Sequence, residues 1–224
     1  MSITLGFYDV FSYAVPGMFY LYLVNETLKL CGFLYIDWTK LTQSGDFAPN
    51  ALIILALGLA SFVTGHLFEG IRSILLDRRF YYGAPELALG KLKKRLASSG
   101  VSMGFNPAEW AVYKEVLKIR NAEANQSLES LKAVTLMLRN FTFGAVLFSL
   151  LQLVQFFRDT NSFYFLAFCA LALLTAYFLH RRAWQFDEWL FRNLYLDALV
   201  YGNSLKEVLE NSEPKWKQIG RAHV

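Results

Sequence analysis

Two cysteines and three histidines in 224 residues leave little with which to build a metal centre or a disulfide framework. Cys31 and Cys169 stand at unrelated positions and read as small apolar fillers. The chain holds no P-loop, no His-Glu-x-x-His helix, no Cys-pair zinc motif and no Arg-x4–6-His pattern. No catalytic residue, metal ligand or cofactor is therefore expected, and an enzyme has no obvious residues to carry it. Charge is scarce as well, at 18% of residues, and unevenly spread. Asp, Glu, Lys and Arg are absent from residues 51–68, 140–157 and 162–179.

What fills the gaps is apolar. The chain is 55% hydrophobic and 17% aromatic, with a mean hydropathy of +0.31, above the roughly 45–50% apolar share of a soluble domain. About 18–20 apolar residues at about 1.5 Å each cross a hydrocarbon core of roughly 30 Å, so the three uncharged stretches are candidate spans. Residues 7–24 make a fourth, with Asp9 as their single charge and Asn25, Glu26 and Lys29 where such a helix leaves the hydrocarbon. Residues 1–8 carry no Lys or Arg, and no small-residue cleavage pattern follows the run, so a secretion signal is not expected. Pro16-Gly17 predicts a kink, tolerated in a span only where a neighbour satisfies the freed carbonyl.

Four spans place residues 25–50 and 158–162 on one side, with Lys29, Lys40 and Arg158, and the other 19 of the 22 Lys and Arg opposite. That bias predicts cytoplasmic termini and a cytoplasmic segment 70–133. The fold expected is all-α: an integral membrane protein with four transmembrane helices, the third and fourth extended into a cytoplasmic helical subdomain. Its parts are 1–69 with the first two spans and an external loop, the insertion 70–133, the transmembrane hairpin 134–182 and a cytoplasmic helix 183–218. The last residues, 219–224 (IGRAHV), match one reading frame of a common short-read sequencing adapter. They are expected to be an artefact that replaces the natural C-terminus.

Within the insertion, Pro85 starts one helix and Ser98-Ser99-Gly100 ends it, while Asn106-Pro107 caps a second that carries Val112, Val116 and Ile119. The first of these presents Leu89, Leu92 and Leu96 on one side and Lys91, Lys93, Lys94 and Arg95 around the other. Near a membrane such a face suits anionic lipid or a protein partner; no motif for nucleic acid accompanies it. In the third span Thr135, Arg139, Thr142, Ser149 and Gln152 fall within an arc of roughly 140°. A polar stripe avoids lipid, so Arg139, Thr142, Ser149 and Gln152 are expected at a helix interface or along a pore. Ala56 and Ala60, and Ser61 and Gly65, repeat small residues at four-residue intervals and suit close helix packing.

Other patterns carry less. Gly-Val-Ser-Met-Gly at 100–104 has the letters of a nucleophile elbow but lacks the strand before it and reads as a loop. His66, Glu69 and His180 could approach one another, but as polar residues at span ends they read as anchors, with too few ligands for a metal. Asn25, Asn125 and Asn140 open Asn-x-Ser/Thr sequences that read as chance.

The opening YDVFSYAVPGMFYLY, the Arg139-Asn140-Phe141 entry to the third span and the tail RRAWQFDEWLFRNLY together resemble small uncharacterised four-span bacterial membrane proteins. Some of those are similar to companions of anti-phage or RNA-guided defence systems. The resemblance implies a bacterial cytoplasmic membrane protein with defence as its setting, and assigns no catalytic residue. The expectation is then a homo-oligomer in contact with membrane lipids, acting as a membrane-perturbing or pore-type effector controlled through its cytoplasmic helices. The alternative is a non-conducting sensor or docking scaffold for a soluble cytoplasmic partner.

Overall fold

A computed structural model describes residues 10–37, 47–77, 83–98, 105–158 and 162–201. These form six α-helices and no strand among the described residues. They are α1 (Val15–Leu30), α2 (Phe47–Arg72), α3 (Ala84–Ala97), α4 (Trp110–Arg120), α5 (Ala122–Arg158) and α6 (Phe163–Tyr201). A π-helical turn, Val10–Ala14, leads into α1, and another, Ser73–Asp77, follows α2. The Gly-Val-Ser-Met-Gly loop, the 159–161 connection and residues 202–224, including the terminal IGRAHV, lie outside the described residues.

Among the described residues three helices are long and apolar enough to cross a membrane: residues Ile53–Leu76 from α2 onward, Glu123–Arg158 of α5, and α6. At about 1.5 Å per residue the 37 residues of α5 extend about 55 Å, well beyond a hydrocarbon core of roughly 30 Å. The 39 residues of α6 exceed it likewise. Both helices are unbroken, as expected from the lack of Pro between Glu123 and Asn211. α1 is shorter, at 16 residues plus the π-turn.

The chain divides into two units. One comprises residues 1–82 and 132–186, the other 83–131 and 187–224.

In the first unit α1 lies against α2 at a distance set by two glycines. A Cβ on Gly17 would fall on the Ser61 carbonyl, and one on Gly65 on the Tyr13 carbonyl. Both obstacles are backbone, so only glycine permits this approach. Tyr20 and Leu23 of α1 then meet Phe143 and Leu151 of α5, with Phe68 stacked on the Tyr20 ring at 4.3 Å. α5 is the inner helix: 44% of its most apolar window is buried, against 11% in α2 and in α6. Ile54, Leu59 and Leu67 of α2 and Phe168, Leu171 and Phe178 of α6 face outward, each more than half exposed. In water such faces would be a liability; in lipid they cost nothing.

The second unit has its own core. α3 contributes Ala88, Leu89 and Leu92, α4 contributes Tyr113, Val116 and Leu117, and the long helices add Leu128, Leu194 and Ala198. The i, i+3, i+4 spacing within each set is what turns one face of a helix inward. Local chemistry sets the boundaries. Pro85 sits in the first turn of α3, and the helix stops at Ser98. The Asn106 side chain accepts from the Ala108 N–H at 3.1 Å, capping a 3₁₀ turn over Pro107–Glu109 that leads into α4. Asn121, in extended conformation, ends α4, and its Oδ1 accepts from the Ala124 N–H at 3.1 Å to start α5.

Candidate functional site

The polar groups of the first unit converge on the N-terminal half of α1, and Pro16 explains why. An α-helix would direct the amide of residue 16 at the Ser12 carbonyl, but proline has no N–H. Asn140 of α5 supplies the missing donor: its Nδ2 bonds the Ser12 carbonyl at 3.0 Å, with the Asn140 side chain fully buried. The Ser12 hydroxyl in turn donates to the Ala133 carbonyl at 3.2 Å. One turn beyond Pro16, the Tyr20 hydroxyl donates to the Asn140 carbonyl at 2.6 Å. Three hydrogen bonds thus tie the π-turn and α1 to Ala133 and Asn140 of α5. Asn140 Oδ1 and Thr135 Oγ1 are buried in the same stretch without a hydrogen-bond partner among the described residues.

The polar stripe of α5 faces protein. Thr135, Thr142, Ser149 and Gln152 are all buried, and Arg139 is half-buried. Thr142 Oγ1 donates back to the Leu138 carbonyl at 2.8 Å, the usual way a span helix satisfies a threonine. Ser149 Oγ lies 3.1 Å from Cys169 Sγ of α6. Cys31 and Cys169 are both free thiols.

Of the small residues on α2, the structure sorts the two series by face. Ser61 and Gly65 are buried against α1, whereas Ala56 and Ala60 are exposed. His66 stacks on Tyr13 at 3.8 Å and lies 3.9 Å from Glu69, which in turn is 3.9 Å from the buried Arg72. Among the described residues no three His, Cys, Asp or Glu side chains are grouped to hold a metal ion.

The basic residues of α3 also divide. Lys91 Nζ bonds Glu188 Oε2 of α6 at 2.6 Å, and Lys93 Nζ reaches the Phe105 carbonyl at 3.3 Å. Lys94 and Arg95 are exposed, so the cationic surface on this helix is narrower than its sequence. A second ion pair, Lys114 to Glu129 at 2.6 Å, joins α4 to α5. In the core beneath, burial first, then Glu86 and Tyr113, pushes the Tyr195 hydroxyl up to about 12. Burial also raises Tyr113, whose hydroxyl donates to Glu109 Oε2 at 3.0 Å.

No pattern in the sequence singles out Ser12 or Tyr20, and Asn140 reads there as the start of a chance Asn-x-Thr. A proline in an apolar run does require a donor from elsewhere, and Asn140 is the carboxamide at the start of the uncharged stretch 140–157.

The class defined by these features is an all-helical protein with membrane-length helices, a polar seam closed within the chain and a separately cored helical unit. Comparison with protein-family models, curated proteins and solved structures returns no match.

Proposed function

We propose that this chain is a four-span protein of the bacterial cytoplasmic membrane that docks a soluble partner through a cytoplasmic helical unit. In this reading α1 with its π-turn is the first span, and α3, α4 and the extended ends of α5 and α6 form the cytoplasmic part. The Lys and Arg bias, 19 of 22 on one side, supports that orientation. The resemblance to companions of anti-phage or RNA-guided defence systems supplies a setting, in which the partner is a soluble effector held at the membrane.

One observation favours the docking scaffold over the pore-type effector. The residues proposed to line a pathway, Thr142, Ser149 and Gln152, are 8%, 3% and 7% exposed, and the two hydroxyls are engaged inside the chain. A polar seam spent on its own helices is glue rather than a lining. Ion flux across proteoliposomes containing the purified chain tests the choice. No flux above empty vesicles is expected. Flux that a Ser149→Leu/Gln152→Leu variant abolishes would restore the pore.

A further inference from the structure

Beyond α1 the chain exposes four apolar residues in a row. Phe33, Leu34, Tyr35 and Ile36 are 66%, 94%, 49% and 47% exposed. On a loop facing water such a run has no reason to persist. The main chain on either side of Leu34 and Tyr35 is, by contrast, held by hydrogen bonds. Gly32, at φ +75°, turns the chain out of α1, so that its N–H donates to the Lys29 carbonyl at 3.2 Å and that of Phe33 to the Leu28 carbonyl at 3.0 Å. The Cys31 N–H donates to the Thr27 carbonyl at 3.0 Å. Asn25, itself buried, then clasps Ile36 from both sides: its Nδ2 donates to the Ile36 carbonyl at 3.1 Å, and the Ile36 N–H donates to its Oδ1 at 2.6 Å.

Unpaired backbone is what keeps irregular loops out of lipid. Here the amides of residues 31, 32, 33 and 36 are paired within the chain while the side chains point away from it. The immediate surroundings identify the medium. The Lys29 ammonium lies over the Tyr35 ring, 5.8 Å from its centroid, and the Arg158 guanidinium donates to the Leu30 carbonyl. Cations and aromatic rings gathered at the end of an apolar helix are the composition of the headgroup level of a bilayer.

We infer that Phe33–Ile36 is a membrane-interface anchor, a clasped loop that sets Phe33 and Leu34 among the phospholipid headgroups and upper acyl chains of one leaflet. It rests on the reading that α1 crosses the membrane. Asn25 is then a structural clasp: both ends of its carboxamide are occupied, although it opens an Asn-Glu-Thr sequence.

The test uses the full chain with Cys31→Ser and Cys169→Ala, carrying one NBD-labelled cysteine at Leu34, Leu59 or Lys94. It is reconstituted in phosphatidylcholine–phosphatidylglycerol vesicles whose lipids bear a nitroxide either near the headgroup or at the acyl terminus. Leu59, exposed on α2, is the control within a span, and the exposed Lys94 is the aqueous control. The label at 34 is expected to be quenched more by the shallow nitroxide than by the deep one, that at 59 to be quenched by the deep one, and that at 94 by neither. Adding Asn25→Ala is expected to shift the emission of the label at 34 to the red. No quenching at 34 beside strong quenching at 59 overturns the anchor and leaves the spans standing. No quenching at either position overturns both.

Discussion

Asn140 Nδ2 donates a 3.0 Å hydrogen bond to the Ser12 carbonyl, the group that Pro16 leaves without its helical donor. A defect in one helix is thereby repaired by a side chain from another. The contact decides whether the π-turn and α1 stay seated on α5.

Asn140→Ala removes this bond to the buried Ser12 carbonyl and is expected to cost about 1–3 kcal/mol. Pro16→Ala returns an N–H to the helix. In that background the same Asn140→Ala change is expected to cost less. Thermal unfolding in detergent of the two single variants and the double variant measures the coupling; strictly additive losses would contradict the repair.

Tyr20→Phe removes the 2.6 Å bond to the Asn140 carbonyl and is expected to cost about 0.5–1.5 kcal/mol. Its acceptor is main chain, which Asn140→Ala retains. Tyr20 and Asn140 nevertheless share one hydrogen-bond network, so their losses are expected to couple by about 0.5 kcal/mol or more, read from the same unfolding curves of the single and double variants.

Gly17→Ala and Gly65→Ala each place a methyl group on a carbonyl of the facing segment, at Ser61 and Tyr13. Each is expected to cost at least the about 1–3 kcal/mol typical of overpacking, because backbone cannot swing aside. Gly58→Ala is the control: its Cβ meets nothing within 4 Å, and alanine there should be neutral or better. Size-exclusion profiles and melting temperatures of the three variants separate these outcomes.

Burial first, then Glu86 and Tyr113, raises the Tyr195 hydroxyl from its ordinary 10.0 to about 12. Its folded-state pKa is raised, so its contribution to stability is complete below pH 10 and is lost as the pH climbs towards 12. Tyr195→Phe is expected to unfold less steeply across that window, followed by circular dichroism. An unchanged pH slope would contradict the assignment.

Local chemistry made the helices legible. The stop at Ser98, the Asn106 cap and the unbroken run of α5 each depend on residues within a turn or two of the boundary, and each is visible without a fold. The three membrane-length helices follow from charge-free stretches in the same way. The site was less legible because its partners are distant in sequence. Ser61-Gly65 and Ala56-Ala60 look alike as letters, and only the position of Gly17 picks the buried pair. Lys91 reads as a free surface cation until Glu188, on another helix, comes within 2.6 Å. Pro16 signalled a need, but which side chain would meet it depended on how α1 packs on α5.

The proposed four-span topology requires Lys29 and Lys94 on opposite faces of the cell membrane. Single cysteines at these two exposed positions, in a chain with Cys31→Ser and Cys169→Ala, can be probed in intact and lysed cells with a membrane-impermeant maleimide. Labelling is expected at 29 in intact cells and at 94 only after lysis. Labelling of both in intact cells, or of both only after lysis, would contradict it.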